Sequence, residues 1–178
     1  WWIEFAPAMY IELHASSAFS FLRAASLPET LVDRAAALGY DALALLDRDG
    51  VYGAPRFHKA ARAAGLRPLL GAELTIASIT TSPDHEIARF SLPVLVASTD
   101  GWQNLCRLIT TMKLRAPKGE GALTLDDLDG HVGGLVALPG QALLRADRFG
   151  VGGLLDRLVG ILGRGHVCVA LQRHLVRA

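Results

Sequence analysis

The feature that most constrains the fold is an alternation of apolar, strand-like segments with helix-like segments in the first half of the chain. The run ALALL at residues 42–46 is apolar at every position, which is typical of a strand buried on both faces. Residues 10–14 and 69–74 form similar segments on either side of it, and a helix-like segment fills each gap. Because strands that alternate with helices through short connections form parallel sheets, the sequence predicts an α/β fold.

Local signals predict where the elements begin and end. Ser26 and Glu29 match the S-x-x-E capping box of a helix that Gly39 ends, and a second helix over residues 55–64 ends at Gly65. The remaining elements are predicted as follows: a loop over residues 77–89, a strand over 92–97, a helix capped by Asp100, a turn capped by Thr124 and Asp127, a strand over 135–138, a helix over 154–162 and a sixth strand over 167–171.

Composition narrows the class of protein. The 178 residues fit one domain, 51% of them are hydrophobic, and the net charge is only +1 with scattered Lys and Arg, so the basic footprint of a nucleic-acid groove is missing. Cys106 and Cys168 lie far apart, which excludes a zinc knuckle or disulfide framework and favours a reducing cytoplasm. No apolar run reaches the ~18 residues that would span a bilayer, so we expect no membrane insertion.

Three polar residues fall at or near the ends of the first three predicted strands: His14, Asp47 and Glu73. The carboxyl ends of parallel strands share one side of a sheet, where loops converge on ligands. The sequence therefore predicts a candidate site on that side. Ser16, Ser17 and Ser20 lie nearby, but no nucleophile elbow accompanies them, so we expect them to make turn hydrogen bonds.

Longer motifs carry a family resemblance. YIELHASSAFSFLRAASLPETLVDRAAALGYDALALLDRDGVYG, then GLRPLLGAEL, NLCRL and LQRH, resemble the PHP (polymerase and histidinol phosphatase) domain of bacterial C-family DNA polymerases. FSFLR-AS, LDRDG and GAPRFHKAA are more similar to the error-prone branch than to the replicative polymerase III alpha subunit. The resemblance implies that residues 1–178 are a PHP fragment of a much longer polymerase, with a distorted, TIM-like (βα)7 barrel that is incomplete at its C-terminal end.

The resemblance also implies a site for a trinuclear metal cluster, of which this sequence keeps only part. His14, Asp47 and Glu73 match family ligands, whereas other ligand positions, all in the cleft, are occupied by Ser16, Arg23, Arg48, Ser91 and Gln141. Neither arginine nor a neutral serine replaces a histidine ligand. A guanidinium about 5 Å from a dication would cost on the order of 6 kcal/mol at an effective dielectric near 20. We therefore expect arginine to pair with Asp47 and Glu73 in place of a metal. Since three donors can hold one ion, a single Zn or Mn ion remains the alternative.

Two functions follow from this resemblance. The first is a catalytically inactive, metal-free structural or partner-docking module of an error-prone DNA polymerase, whose parent protein would synthesise DNA during damage tolerance, repair and translesion replication in the cytoplasm. Its partners would be the remainder of the polymerase chain and other replication or damage-tolerance proteins, with DNA reached through the parent. The second is a metal-dependent phosphoesterase acting on pyrophosphate, a phosphate ester or a 3′ DNA end, which would need at least one ion to activate water. An independent α/β protein that borrowed the domain is a third possibility.

Overall fold

The computed structural model describes residues 10–77, 89–117, 119–140 and 150–171. Helices and strands alternate along the first part of these ranges, as the sequence predicts. In chain order the elements are β1 (Glu12–Ala15), α1 (Pro28–Ala37), β2 (Ala42–Arg48), α2 (Ala54–Ala63), β3 (Arg67–Ala77), β4 (Arg89–Val96), α3 (Thr99–Leu114), a 3-10 turn (Asp126–Leu128), β5 (Leu135–Ala137), α4 (Gly150–Leu162) and a second 3-10 turn (Arg164–His166).

The five strands form one sheet in the order β1-β2-β3-β4-β5. β1 and β2 are parallel, as predicted from the helix between them, whereas β4 and β5 are antiparallel, with Leu95 opposite Val136. The predicted α/β class is therefore confirmed, with a mixed sheet. Five strands in sequence order, the first two parallel, are consistent with part of a distorted barrel, and the antiparallel pair is a departure from an all-parallel arrangement.

The chain folds into two compact units, Trp1–Gly71 and Ala72–Ala178, and β3 begins in the first and ends in the second. In the first unit, α1 and α2 cover β1 and β2. Its core is assembled from buried side chains of both helices and of β2, together with the residue that precedes β3: Val32, Ala35, Leu43, Leu45, Phe57, Ala61 and Leu66. Every residue of β2 from Ala42 to Asp47 is buried, which confirms the predicted two-sided burial of this strand.

The ends of the first two helices were partly predictable. Gly39 and Gly65 take the left-handed conformation (φ +74 and +77) that lets a glycine end a helix. The predicted capping box is wrong, because the N-cap of α1 is Leu27 and no side chain caps it. Glu29 instead accepts hydrogen bonds from Arg56 on α2, at 2.6 and 3.0 Å. The carboxylate in the first turn of α1 thus pairs with an arginine of the neighbouring helix and does not form a capping box.

In the second unit, α3 is capped by Ser98 and not by Asp100 as the sequence suggested. The Ser98 hydroxyl accepts the backbone N–H of Gly101 at 3.2 Å, and Asp100 lies in the first turn. The helix also packs closely at its start, because a Cβ at Gly101 would collide with the backbone carbonyl of Gly134. Beyond that point, Leu105, Leu108 and Met112 form its buried face.

The later part of the chain follows the prediction with one exception. The turn predicted from Thr124 and Asp127 is confirmed, since the amide and hydroxyl of Thr124 donate to Asp127 Oδ2 at 2.8 and 3.0 Å. The predicted sixth strand is reduced to a single parallel bridge between Val167 and Ala137, with Cys168 N–H donating to the Ala137 carbonyl at 2.9 Å. Most of the predicted 77–89 loop lies outside the described residues. Within the described ranges, no helix has the length and hydrophobicity that crossing a bilayer requires.

Candidate functional site

The candidate site of the first unit is centred on Asp47, near the carboxyl end of β2. Asp47 is 1% exposed, so its carboxylate has almost no access to water. An ionised carboxylate in such a position is costly unless donors in the protein replace its hydration. The apolar residues of β2 carry it there, because the strand is buried along its whole length before Asp47.

Four hydrogen bonds replace the lost hydration. Oδ1 accepts the N–H of Ser17 at 2.9 Å, the hydroxyl of Ser17 at 2.8 Å and the hydroxyl of Ser20 at 3.0 Å. Oδ2 accepts the N–H of Gly53 at 2.9 Å. We call this arrangement the Asp47 cage, formed by Asp47, Ser17, Ser20 and Gly53. It joins the segment after β1 to the segment before α2 through one buried acceptor.

A second set of contacts orients the donors of the cage. The Ser17 hydroxyl also accepts the N–H of Phe19 at 3.3 Å, and the Ser20 hydroxyl accepts the N–H of Arg48 at 3.1 Å. Each hydroxyl therefore donates to the carboxylate while accepting from the backbone, which fixes the direction of its proton. The predicted turn bonding is present at the Ser17 hydroxyl, through Phe19, whereas the described bonds of the Ser20 hydroxyl are long-range. The bonds from both hydroxyls to Asp47 were not predicted from the sequence.

Gly53 is required by the close approach of its backbone to the carboxylate. A Cβ at this position would lie 2.6 Å from Asp47 Oδ2 and 2.9 Å from Ser17 Oγ. Such distances are shorter than van der Waals contact, so any side chain here would push the cage apart. Ser16 lies beside the cage without joining it, since its hydroxyl donates to the Leu46 carbonyl at 2.9 Å.

The predicted pairing of arginine with Asp47 is not among the described hydrogen bonds of that carboxylate, and the pairing with Glu73 stays a prediction. Each described hydrogen bond to the Asp47 carboxylate comes from a serine or a backbone amide. Arg48 Nε instead lies 3.4 Å from Asp49 Oδ2, and Arg23 is an exposed residue of the loop after β1. The physical reason is geometric: the serines follow β1 directly and reach the carboxylate over short side chains, with the Arg48 amide bound to one of them.

The other candidate residues lie in different places. His14 is half-buried on β1, and its backbone N–H donates to Glu12 Oε1 at 2.8 Å. Glu73 is half-buried on β3, in the second unit. Ser91 is on β4, where its buried hydroxyl has no hydrogen-bond partner among the described residues. Gln141 lies outside the described residues.

The residues around Asp47 do not fit a multinuclear metal centre. Both carboxylate oxygens already accept hydrogen bonds, three at Oδ1 and one at Oδ2, so a metal ion would compete with these donors for Asp47. Ser17 and Ser20 are neutral hydroxyls, which are poor ligands for zinc beside imidazole or thiolate. Among the described residues, no group of three or more His, Cys, Asp or Glu side chains is arranged to hold an ion.

Comparison with known proteins defines the class. The family model described as "PHP domain" matches residues 12–174, most of the chain. The chain therefore belongs to the PHP domain family, as its motifs predicted.

Its curated relatives narrow the resemblance to one kind of polymerase. An error-prone DNA polymerase from Ralstonia nicotianae is 44% identical over 132 residues, which are 74% of this chain and 12% of that protein. An error-prone DNA polymerase from Alkalilimnicola ehrlichii is 40% identical over 168 residues, 93% of this chain and 15% of that protein. The chain thus spans less than one sixth of the length of these relatives.

Among solved structures, a proposed metal-dependent phosphoesterase from Bifidobacterium adolescentis is 24% identical. The match covers 61% of this chain and 36% of that one, with a TM-score of 0.45.

Proposed function

We propose that this chain is the N-terminal PHP module of an error-prone DNA polymerase and that it acts there as a metal-free structural domain. The family match and the names of the curated relatives support the first part. The Asp47 cage supports the second part. Four hydrogen bonds already stabilise the buried carboxylate, so the carboxylate does not need a metal ion to compensate its charge. The parent protein would synthesise DNA during damage tolerance, repair and translesion replication, in the cytoplasm.

The cage is the single observation that carries the metal-free proposal. Binding an ion through Asp47 would break hydrogen bonds to a charged acceptor, each of which contributes about 1.5–3 kcal/mol. The displaced amides of Ser17 and Gly53 would then stay buried without partners. Of the vestigial ligand positions His14, Asp47 and Glu73, the cage gives Asp47 a structural role. A phosphoesterase would need an ion to activate water, and the donors of the Asp47 cage would compete with that ion for the carboxylate.

The partners follow from the size of the relatives. Most of each relative lies outside the region that this chain matches, so the first partner is the remainder of the polymerase chain. Other replication or damage-tolerance proteins would be further partners. DNA would be bound by the parent protein, because the net charge of +1 gives this chain little electrostatic attraction for phosphates.

Metal content of the full-length polymerase tests the proposal. The protein would be equilibrated with zinc and with manganese, desalted and analysed by inductively coupled plasma mass spectrometry, beside Asp47→Asn and the exposed control Asp33→Asn. We expect the wild type to hold less than one equivalent of metal per protein more than Asp47→Asn does. We also expect the wild type to show no more manganese-dependent hydrolysis of a phosphodiester than Asp47→Asn shows. One equivalent of metal that is lost in Asp47→Asn and kept in Asp33→Asn would contradict the metal-free assignment.

A further inference from the structure

The loop between β1 and α1, residues 16–27, presents large apolar side chains to solvent. Phe21 is 84% exposed and Leu22 is 95% exposed, and Phe19 and Leu27 are also exposed. Single apolar residues on a surface are ordinary, but a contiguous group within one short loop is typical of an interaction site. We call residues 16–27 the β1–α1 loop.

The backbone of this loop is ordered by its own hydrogen bonds. Ala18 N–H donates to the Ser26 carbonyl at 2.8 Å, which closes the base of the loop. Within it, the N–H groups of Arg23 and Ala24 both donate to the Ser20 carbonyl, at 3.0 and 3.2 Å. The start of the loop is also fixed by the Asp47 cage, because the hydroxyls of Ser17 and Ser20 donate to Asp47. Phe21 and Leu22 are therefore presented by a fixed backbone, which lowers the entropy cost of binding through them.

Leu22 is held in a conformation that its side chain disfavours. Its φ of 61 lies in the left-handed region, where a Cβ approaches the following carbonyl. Glycine or asparagine would be more stable there, yet the position carries a leucine whose side chain is almost fully exposed. Strain of this kind is concentrated at functional positions, where the surrounding structure imposes it.

Charged groups border the loop on the side of the helices. The Arg56 guanidinium lies 5.8 Å from the centre of the Phe19 ring and also pairs with Glu29 on α1. Phe19 thus has a charged pair beside it, on one side of the apolar group. An apolar centre with a polar rim is the usual composition of a protein–protein interface.

We propose that the β1–α1 loop is a docking surface for the remainder of the polymerase chain, with Phe21 and Leu22 as its apolar anchors. This inference rests on the proposed function. The occupant follows from the relatives, in which the matched region is 12% and 15% of the whole protein and the rest of the polypeptide is tethered to it. Because a tethered segment has a high effective concentration, a small apolar surface is enough to hold it.

Site-specific photo-cross-linking in the full-length polymerase tests the contact. The photoreactive amino acid p-benzoylphenylalanine would replace Phe21, or Leu38 as a control, an exposed residue just after α1 that lies outside the loop. We expect the probe at Phe21 to cross-link to peptides beyond residue 178 of the same polypeptide, and the probe at Leu38 to give none. A covalent dimer, cross-links confined to residues 1–178, or no cross-link at Phe21 would each overturn the proposal.

A second variant separates docking from folding. Asparagine tolerates the left-handed conformation, so Leu22→Asn preserves the loop while removing the apolar side chain. In the full-length polymerase we expect Leu22→Asn to shorten the half-life of thermal inactivation roughly tenfold, as when a buried leucine contact is lost, and Leu38→Asn to change it little. An unchanged or longer half-life for Leu22→Asn would contradict docking.

The two proposals fail in different ways. Bound metal would contradict the metal-free function and leave the Phe21 cross-link valid. If the cross-link is absent and metal is also absent, the structural assignment of the Asp47 cage stands without this docking surface.

Discussion

Asp47 shows how hydrogen-bond donors of the protein can replace the hydration of a buried carboxylate. Its carboxylate is buried, and hydroxyl and amide donors surround it at 2.8–3.0 Å. Three of the four hydrogen bonds converge on Oδ1, which places the negative charge between the Ser17 and Ser20 hydroxyls. Hydrogen bonds to a charged acceptor are stronger than neutral ones, so we expect this cage to stabilise the first unit.

Replacing Asp47 by asparagine tests this stabilisation. In Asp47→Asn, an NH₂ group must face a donor from Ser17, Ser20 or Gly53, so at least one hydrogen bond is lost and a repulsive contact is gained. We expect the free energy of unfolding to fall by about 2–4 kcal/mol, measured by urea denaturation. Asp33→Asn, at an exposed position of α1, should change it by less than about 0.5 kcal/mol. Equal stability of the two variants would contradict the structural role of the cage.

The location of Asp47 was predictable from the sequence, but its partners were not. A buried apolar run that ends in an aspartate places that residue at the carboxyl end of a strand. Which donors reach it depends on how the loop after β1 folds back, and a linear sequence does not determine this. The spacing of Ser17 and Ser20, three residues apart and just after a strand, was the available signal, and it was interpreted as local turn bonding alone.

At the scale of elements, glycines in two helices have opposite roles. Gly101 lies in the first turn of α3 against the backbone of Gly134, where any Cβ would collide, whereas Gly160 in α4 has no atom within 4 Å of the Cβ position. Helix propensity favours alanine over glycine by roughly 1 kcal/mol, so the two sites should respond differently to the same change.

We therefore predict opposite signs for Gly101→Ala and Gly160→Ala. Gly160→Ala should raise the free energy of unfolding by up to about 1 kcal/mol, because only propensity changes. Gly101→Ala should lower it by about 2 kcal/mol or more, since two backbone segments must move apart. Thermal unfolding followed by circular dichroism measures both. Stabilisation by Gly101→Ala would show that the close approach of α3 to Gly134 is absent.

The turn that contains Asp127 should contribute a pH-dependent part of the stability of the protein. Burial opposes its ionisation, but hydrogen bonds from Arg115 and from the amide and hydroxyl of Thr124 outweigh this and lower the pKa of the carboxyl below its ordinary value. Because the folded-state pKa is depressed, the stabilisation is fully present above the unfolded pKa of about 4 and is lost as the pH falls through the folded value.

Asp127→Asn should therefore be most harmful at neutral pH. We expect a loss of about 1–3 kcal/mol in the free energy of unfolding at pH 7, and a smaller difference from the wild type as the pH falls below about 4. The nearby exposed Asp129→Asn should show little effect at either pH. Chemical denaturation at a series of pH values gives the comparison, and a pH-independent difference would contradict the linkage.

The elements were predicted well where each signal is local. The strand and helix segments of the first unit, and the glycines that end its helices, follow from apolar periodicity and from the left-handed conformation. The caps predicted at Ser26 and Asp100 were wrong: α1 begins at Leu27 without a side-chain cap, and Ser98 caps α3. Near a helix start, a sequence match does not decide which polar residue, if any, bonds the free amides. The antiparallel pairing of β4 with β5 also depends on such long-range contacts.

At the scale of the whole molecule, the charge balance limits what the chain can bind. With a net charge of +1, it lacks the excess of cations that neutralises DNA phosphates. The 178-residue chain should therefore bind duplex DNA more weakly than about 10⁻⁵ M at physiological salt.

Fluorescence anisotropy with a labelled oligonucleotide checks this expectation, with a full-length error-prone DNA polymerase from one of the relatives as the positive control. Tight binding by the chain alone, with a steep decrease on adding salt, would contradict it.

The Asp47 cage also bears on the order of events during synthesis. All of its members lie within residues 17–53, and the hydrophobic core of the first unit is complete by residue 70. Because domains begin to fold as they leave the ribosome, this part of the chain can enclose its buried carboxylate while the residues of the second unit are still being translated. We expect the first unit to become ordered before synthesis of the second unit is complete.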